Sequence, residues 1–249
     1  MRKSVQEKLL KTTDRVKIAL NHYDFGRNKV LIVAPGWFMT KDSSAFCAIS
    51  EAFFEYIDVI SFDFRGHGKS SGFYTFSALE QKDLEAVICY AQTKYENVYL
   101  MGFSLGAMIC LNYATLAGGV EKVIAVSPPC DFSKIENQIW KKEAWLPTLK
   151  KMELERWFSI RPSVFIHRKI KTIDIIQNNT AKTLYIAGKL DPTVHMWHTE
   201  ALYNKTQSEK EFKCFECGLH AEDLFLDFKE EFLDISLNWL ELKEKIVSQ

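Results

Sequence analysis

Five short apolar runs constrain this chain more than any other feature. Lys29-Val-Leu-Ile-Val-Ala34, Val59-Ile-Ser-Phe-Asp-Phe64, Val98-Tyr-Leu-Met-Gly-Phe103, Lys122-Val-Ile-Ala-Val-Ser127 and Thr183-Leu-Tyr-Ile-Ala187 are rich in β-branched and aromatic residues and do not alternate apolar with polar. A strand wetted on one face alternates, whereas a continuous apolar run fits a strand covered on both faces. Helix-like stretches at 43–56, 77–94 and 104–117 separate the runs, the last ending at Gly118-Gly119. This alternation predicts an α/β protein with a mostly parallel, doubly wound sheet. An antiparallel pair near residues 5–20 is expected at one edge, with an alternating strand at Arg15–Leu20 preceded by a Thr-Thr-Asp turn. A further strand is expected at 211–216 and a last helix at about 222–245. Between about 131 and 179 the alternation lapses into a long, tryptophan-rich, helix-like stretch. It reads as an insertion carried above the sheet of a single domain spanning 1–249.

Bulk properties exclude several classes. Of 249 residues 47% are hydrophobic, enough for a full core. Lys+Arg and Asp+Glu both total 32, so the basic excess of a nucleic-acid binder is missing and no nucleic-acid partner is expected. Residues 1–8 are charged and lack the apolar core of a signal peptide, and no stretch approaches the roughly 18 consecutive apolar residues of a transmembrane helix, so a cytoplasmic protein is expected. The six cysteines lie in apolar segments and read as small buried hydrophobes. Cys214-Phe-Glu-Cys217 has no second pair to complete a zinc site, and neither metal nor cofactor is expected.

Gly102-Phe-Ser-Leu-Gly106 follows one of the predicted strands and opens a predicted helix. A turn this tight holds Ser104 in a strained conformation, and the flanking glycines let strand and helix approach without a Cβ clash. The hydroxyl then projects beyond the carboxyl ends of the strands, beside a helix N-terminus that stabilises negative charge. A serine becomes a nucleophile when a base takes its proton and a carboxylate orients that base. After such a turn the acid and then the histidine follow in the chain. Asp191, in Gly188-Lys-Leu-Asp-Pro192, and His220, in Gly218-Leu-His-Ala221, each follow a predicted strand. Asp131 is the rival acid, with a helix cap as its alternative role. His67 precedes the serine in a glycine-rich turn and reads as structural, and His195 and His198 read as exposed helix positions. An oxyanion needs two backbone N–H donors: Leu105 supplies one candidate, and Trp37, in Pro35-Gly36-Trp37 after the first buried strand, the other.

Pro35-Gly36, Asp63-Phe-Arg-Gly-His-Gly-Lys-Ser-Ser-Gly72, Gly102-Phe-Ser-Leu-Gly106, Gly188-Lys-Leu-Asp191 and Gly218-Leu-His220 together resemble the α/β-hydrolase superfamily. Within it they look like the serine aminopeptidase and monoacylglycerol lipase-like branch. The resemblance runs from about residue 14 to the C-terminus, apart from 131–179, and departs at Pro35-Gly36, where the family usually reads His-Gly. It implies the α/β-hydrolase fold with a helical lid over 131–179, and a serine hydrolase acting on a small-molecule ester or acyl substrate through an acyl-enzyme. A peptidase, thioesterase or acyltransferase would use the same three residues, and a ligand-binding receptor could reuse the fold. Trp140, Trp145, Trp157 and Phe158, with Met152 and Phe165, are candidate pocket residues of the lid, though docked helices need apolar faces whatever the substrate. From Lys134 to Lys171 there are ten Lys/Arg against four Asp/Glu, a solvated basic face or an attraction for anions or a lipid surface.

Overall fold

All five apolar runs become parallel strands at the centre of one eight-stranded sheet. The computed structural model describes residues 4–136, 158–165 and 168–242. In chain order the strands are β1 (Ser4–Lys11), β2 (Lys17–Asp24), β3 (Lys29–Ala34), β4 (Asp58–Phe62), β5 (Asn97–Phe103), β6 (Lys122–Val126), β7 (Lys182–Gly188) and β8 (Lys210–Phe215). Their spatial order is β1-β2-β4-β3-β5-β6-β7-β8. β2 pairs antiparallel with β1 and β4, and β3 to β8 run parallel. The chain therefore leaves the adjacent strands β3 and β5 to opposite sides, from β3 towards β4 and from β5 towards β6. Loops that diverge at such a point leave a crevice at the carboxyl ends of the strands.

The described helices are α1 (Ser44–Phe54), α2 (Gln81–Gln92), α3 (Leu105–Leu116), a single turn α4 (Thr172–Ile175), α5 (Met196–Lys205), α6 (Glu222–Asp227) and α7 (Lys229–Trp239). The two-residue period of a strand splits the core between two layers. Val30, Ile32 and Ala34 of β3 pack with Leu84 and Val87 of α2, Met108 and Leu111 of α3, and Leu202 of α5. Leu31 and Val33 pack on the other face with Phe46 and Phe53 of α1, Phe225 of α6 and Phe232 of α7. Each such side chain contributes roughly 1.5–3 kcal/mol by leaving water, so neither layer is dispensable.

Several boundaries differ from the sequence expectation, each for a local reason. β2 extends to Asp24 and starts only at Lys17, because Arg15 sits at φ 69° in the hairpin turn. α2 starts at Gln81 instead of 77: Phe76 and Ser77 take left-handed backbone (φ 57° and 79°), and the buried Glu80 carboxylate accepts hydrogen bonds from Thr75 N and Oγ1 at 2.6 and 2.8 Å. The last helix is broken at Phe228 (φ −128°, ψ 40°). Among the cysteines only Cys110 and Cys130 are buried, while Cys89 and Cys217 are exposed, so the reading of all six as buried fails.

The loop after β4 is held by buried charge. Arg65 donates to Asp83 through Nε (2.9 Å) and Nη2 (2.8 Å), and pairs through Nη1 with Asp14 at 2.9 Å. One guanidinium thus joins the β1–β2 hairpin, this loop and α2. Asp63 accepts the N–H groups of Lys41 (2.7 Å) and Lys69 (2.9 Å). His67 is buried, its ring edge-on to Tyr74, with Nδ1 3.2 Å from the Arg65 carbonyl. A carbonyl only accepts, so Nδ1 carries the proton. Burial holds the imidazole neutral and lowers its pKa to about 4, with the nearby Arg161 charge acting in the same direction.

That depressed pKa makes folding stability pH-dependent. An unfolded His67 takes up its proton near its ordinary value of 6.5, and the folded one only near 4. The neutral ring's contribution is therefore complete above about pH 6.5 and is lost as pH falls towards 4, about 3 kcal/mol in all. Urea unfolding of His67→Gln across pH 4–7 should show a shallower acid-side slope than the wild type, by up to one proton. Identical slopes would place the acid sensitivity elsewhere.

Candidate active site

The site grows from the turn between β5 and α3. Ser104 has φ 52° and ψ −117°, a conformation costly for a residue with a Cβ, and its N–H donates to Val126 O of β6 at 2.8 Å. Both flanking glycines are sterically required. A Cβ on Gly102 would stand 2.5 Å from Ala107 Cα, and one on Gly106 would stand 2.4 Å from the carbonyl oxygens of Ala34 and Pro35. The helix thus starts almost in contact with the end of β3. The Gly36 position is nearly as tight, since a Cβ there would lie 3.3 Å from Ser104 Cβ.

Two loops bring partners to the hydroxyl. His220 Nε2 lies 2.9 Å from Ser104 Oγ, and His220 Nδ1 lies 2.6 Å from Asp191 Oδ2. A carboxylate only accepts, so Nδ1 carries the proton and Nε2 is the acceptor facing the serine hydroxyl. Asp191 is fixed from behind, its Oδ1 accepting the N–H groups of Thr193 (2.8 Å) and Val194 (2.9 Å). Its side chain is 1% exposed and that of His220 is 19% exposed, so the acid is shielded while the imidazole edge reaches solvent. The loops are tied together: Leu190 N donates to Gly218 O at 3.0 Å, and Gly188 lies so close to Leu219 O that a Cβ would stand 2.2 Å from it.

One supporting residue was not singled out from the sequence. Ser127 Oγ, at the end of β6, accepts the N–H of Ala221 at 3.2 Å and anchors the residue after His220. Both sit at positive φ, 48° for Ser127 and 51° for Ala221. Only the strand-end position of Ser127 hinted at this.

The two candidate oxyanion donors flank the serine. Leu105 N–H belongs to the first turn of α3, whose amides have no acceptor within the helix. Trp37 follows Gly36 in a turn closed by Met39 N donating to Gly36 O at 3.3 Å, with Phe38 at φ 66°. The rival residues are engaged elsewhere. Asp131 accepts Ser133 N at 2.9 Å, capping the turn Phe132–Lys134, and pairs with Lys171 at 3.0 Å. His195 caps α5. His198, expected to be exposed, is fully buried: Cys130 N donates to its Nδ1 at 3.2 Å, and its Nε2 is 3.2 Å from Glu136 Oε2. The polar neighbours Cys130 and Glu136 come from the loop after β6 and draw it inward, which helix periodicity alone does not reveal.

Of the candidate pocket residues, Trp140, Trp145 and Trp157, with Met152, lie outside the described residues. Phe158 is described and is 86% exposed. The chain between 158 and 163 docks on the loop after β4: Tyr74 N donates to Arg161 O at 2.8 Å and Ser163 N to Tyr74 O at 2.7 Å. Among the described residues no His, Cys, Asp or Glu cluster is arranged to hold a metal ion, and no helix is long and apolar enough to cross a membrane.

Removal of the close approach at Gly106 should be costly. Gly106→Ala must push α3 away from the carbonyls of Ala34 and Pro35, and an overpacking cost of about 1–3 kcal/mol is expected in chemical denaturation. Wild-type stability in Gly106→Ala would contradict the contact.

Residues 30–174, more than half of the chain, match the model of the alpha/beta hydrolase family. An uncharacterized protein of Bacillus subtilis, YqkD, is 27% identical over 173 residues, which cover 66% of this chain and 56% of that protein. The match thus spans little more than half the length of this curated relative. The Pyrococcus furiosus esterase Pf2001 superposes with a TM-score of 0.80 at 22% identity, over 96% of this chain and 92% of that one. An esterase from Exiguobacterium antarcticum superposes with a TM-score of 0.73 at 21% identity, over 95% and 100% of the two chains. At these identities the structural likeness concerns the fold.

Proposed function

We propose that this chain, which belongs to the alpha/beta hydrolase family, is a serine hydrolase of carboxylic esters. The observation that carries the reading is the continuous relay Ser104 Oγ, His220 Nε2, His220 Nδ1, Asp191 Oδ2, with links of 2.9 and 2.6 Å. The presence of two esterases among the structures sharing the fold supports the ester as substrate.

In the proposed mechanism, His220 Nε2 takes the hydroxyl proton as Ser104 Oγ attacks the ester carbonyl. Asp191 keeps Nδ1 protonated and stabilises the imidazolium, without itself taking the proton. The developing oxyanion receives hydrogen bonds from the Trp37 and Leu105 amides. Both donors are backbone groups, so Pro35 in place of a histidine leaves them available. Collapse of the intermediate breaks the ester C–O bond, and the alcohol leaves with the proton from His220. Water then gives a proton to Nε2 and attacks the acyl-enzyme, and the carboxylic acid departs as Ser104 regains its proton. One ester and one water yield one acid and one alcohol.

The domain organisation that accompanies this reading is a single domain with 131–179 as a lid. Support comes from the ends of that segment: Asp131 to Glu136 leaves the carboxyl end of β6, and 158–163 returns to the loop after β4.

Hydrolysis of short p-nitrophenyl esters and labelling by a fluorophosphonate test the mechanism directly. Ser104→Ala should abolish labelling and lower kcat by at least about 10³-fold, and Asp191→Asn, which permits the wrong tautomer, by about 10⁴-fold. Circular dichroism should show both variants folded. Equal, slow turnover by wild type and Ser104→Ala would remove the catalytic reading and leave a binding protein on a hydrolase fold.

A further inference from the structure

An aromatic wall runs from the candidate oxyanion loop towards a lysine that has no counter-ion among the described residues. The Trp37 ring packs on Phe76 with centroids 5.9 Å apart, and Phe76 packs on Phe132, also at 5.9 Å. These rings come from the loop after β3, the strained turn before α2 and the turn after β6. All three remain half-buried. Lys169 lies across their far end, its Nζ 4.1 Å from the Phe132 centroid and 5.3 Å from that of Phe76.

The neighbouring charges make this lysine distinctive. Lys171, two residues on, is neutralised by Asp131 at 3.0 Å. Lys169 has no carboxylate within ion-pairing distance among the described residues, and Glu80, the one carboxylate whose field it feels, is fully buried and engaged by Thr75. Partial burial pushes the Lys169 ammonium below its ordinary pKa, as expected of a cation held against rings without a partner. The wall also holds an unused donor: Trp37 Nε1–H is buried and has no acceptor among the described residues. A purely apolar acyl pocket calls for neither feature. A cation on aromatic faces gains some electrostatic stabilisation from the rings, yet it keeps a donor free for an anion.

We propose that this wall is a substrate subsite for an aromatic ester bearing an anionic group, the ring lying among Trp37, Phe76 and Phe132 and the anion accepting a hydrogen bond from Lys169 Nζ. The inference rests on the ester-hydrolase reading of Ser104 and narrows its substrate class. The Trp37 ring centre and Lys169 Nζ lie 5.9 and 5.3 Å from the Phe76 centroid, so the test esters carry the carboxylate on the far side of the ring from the scissile bond.

Two matched pairs of esters test the subsite: 4-carboxyphenyl acetate against 4-methylphenyl acetate, and monomethyl terephthalate against methyl 4-methylbenzoate. They place the ring on the alcohol and the acyl side respectively. The readout is the ratio of kcat/KM for the charged ester to that for the neutral one, compared between wild type and variant so that intrinsic reactivity cancels. In at least one pair, Lys169→Met should lower the ratio by about tenfold or more, the equivalent of 1.4 kcal/mol, and Lys169→Arg should hold it within about threefold. An unchanged ratio in Lys169→Met for both pairs overturns the proposal. Binding of the same four esters to Ser104→Ala, followed by calorimetry, separates the two ideas. If wild type hydrolyses no ester, the catalytic reading falls, and the subsite still stands or falls on whether Ser104→Ala binds the carboxylate esters more tightly than the neutral ones and loses that preference in Ser104→Ala/Lys169→Met.

Discussion

The contact between the start of α3 and the end of β3 is the constraint on which the rest depends. Gly106 meets the carbonyls of Ala34 and Pro35, and Gly102 meets the backbone of Ala107, at separations that no side chain could enter. The approach forces the chain to reverse within one residue, and Ser104 carries the resulting strain at φ 52°. It also sets what can lie beside the hydroxyl: the Pro35–Trp37 turn on one side and the end of β6 on the other. Strain of this kind costs of order 1–3 kcal/mol and persists only where surrounding packing over-determines it. Here β3, β5 and β6, buried throughout apart from Lys29 and Asn97, do so.

A second frame holds the loops. Arg65 fastens the segment after β4 to both Asp14 and Asp83, and Asp63 gathers the amides of Lys41 and Lys69. Buried ion pairs often add little net stability over an apolar replacement, but losing one partner strands the other charge. Their consequence here is positional. The segment from Asp63 to Glu80 carries Tyr74 and Phe76 to the side of Trp37, so the network that orders this loop also builds the wall beside the site.

The relay shows the same division of labour. Asp191 is buried and held by two backbone amides, which leaves its second oxygen for His220. Ser127 steadies the residue after the histidine, and Gly188 lets the two loops touch. The imidazole therefore meets the serine from a loop held at both ends. That loop lies 116 residues away from Ser104 in the chain, and the parallel sheet together with these loop contacts brings them together.

The five continuous apolar runs, the glycine spacing around Ser104 and the order of Asp191 and His220 at strand ends were legible because strand burial and tight turns act through near neighbours. Those local rules sufficed for the parallel sheet and the two-faced core, and they singled out three residues that the fold brings within hydrogen-bonding distance of one another. Side-chain engagements across the fold were not legible. The Glu80 bonds to Thr75 delay α2 to Gln81, Phe228 breaks the last helix, and Cys130 with Glu136 turns His198 inward. The pairing of Ser127 with Ala221 and the seating of Lys169 over two rings likewise belong to residues far apart in the chain. By itself the sequence determined which strands are buried and where a serine must be strained, since both follow from periodicity and the lack of a Cβ. Only the tertiary structure decided which polar groups are satisfied and which rings Lys169 lies across, because that depends on what every distant loop brings to the same place.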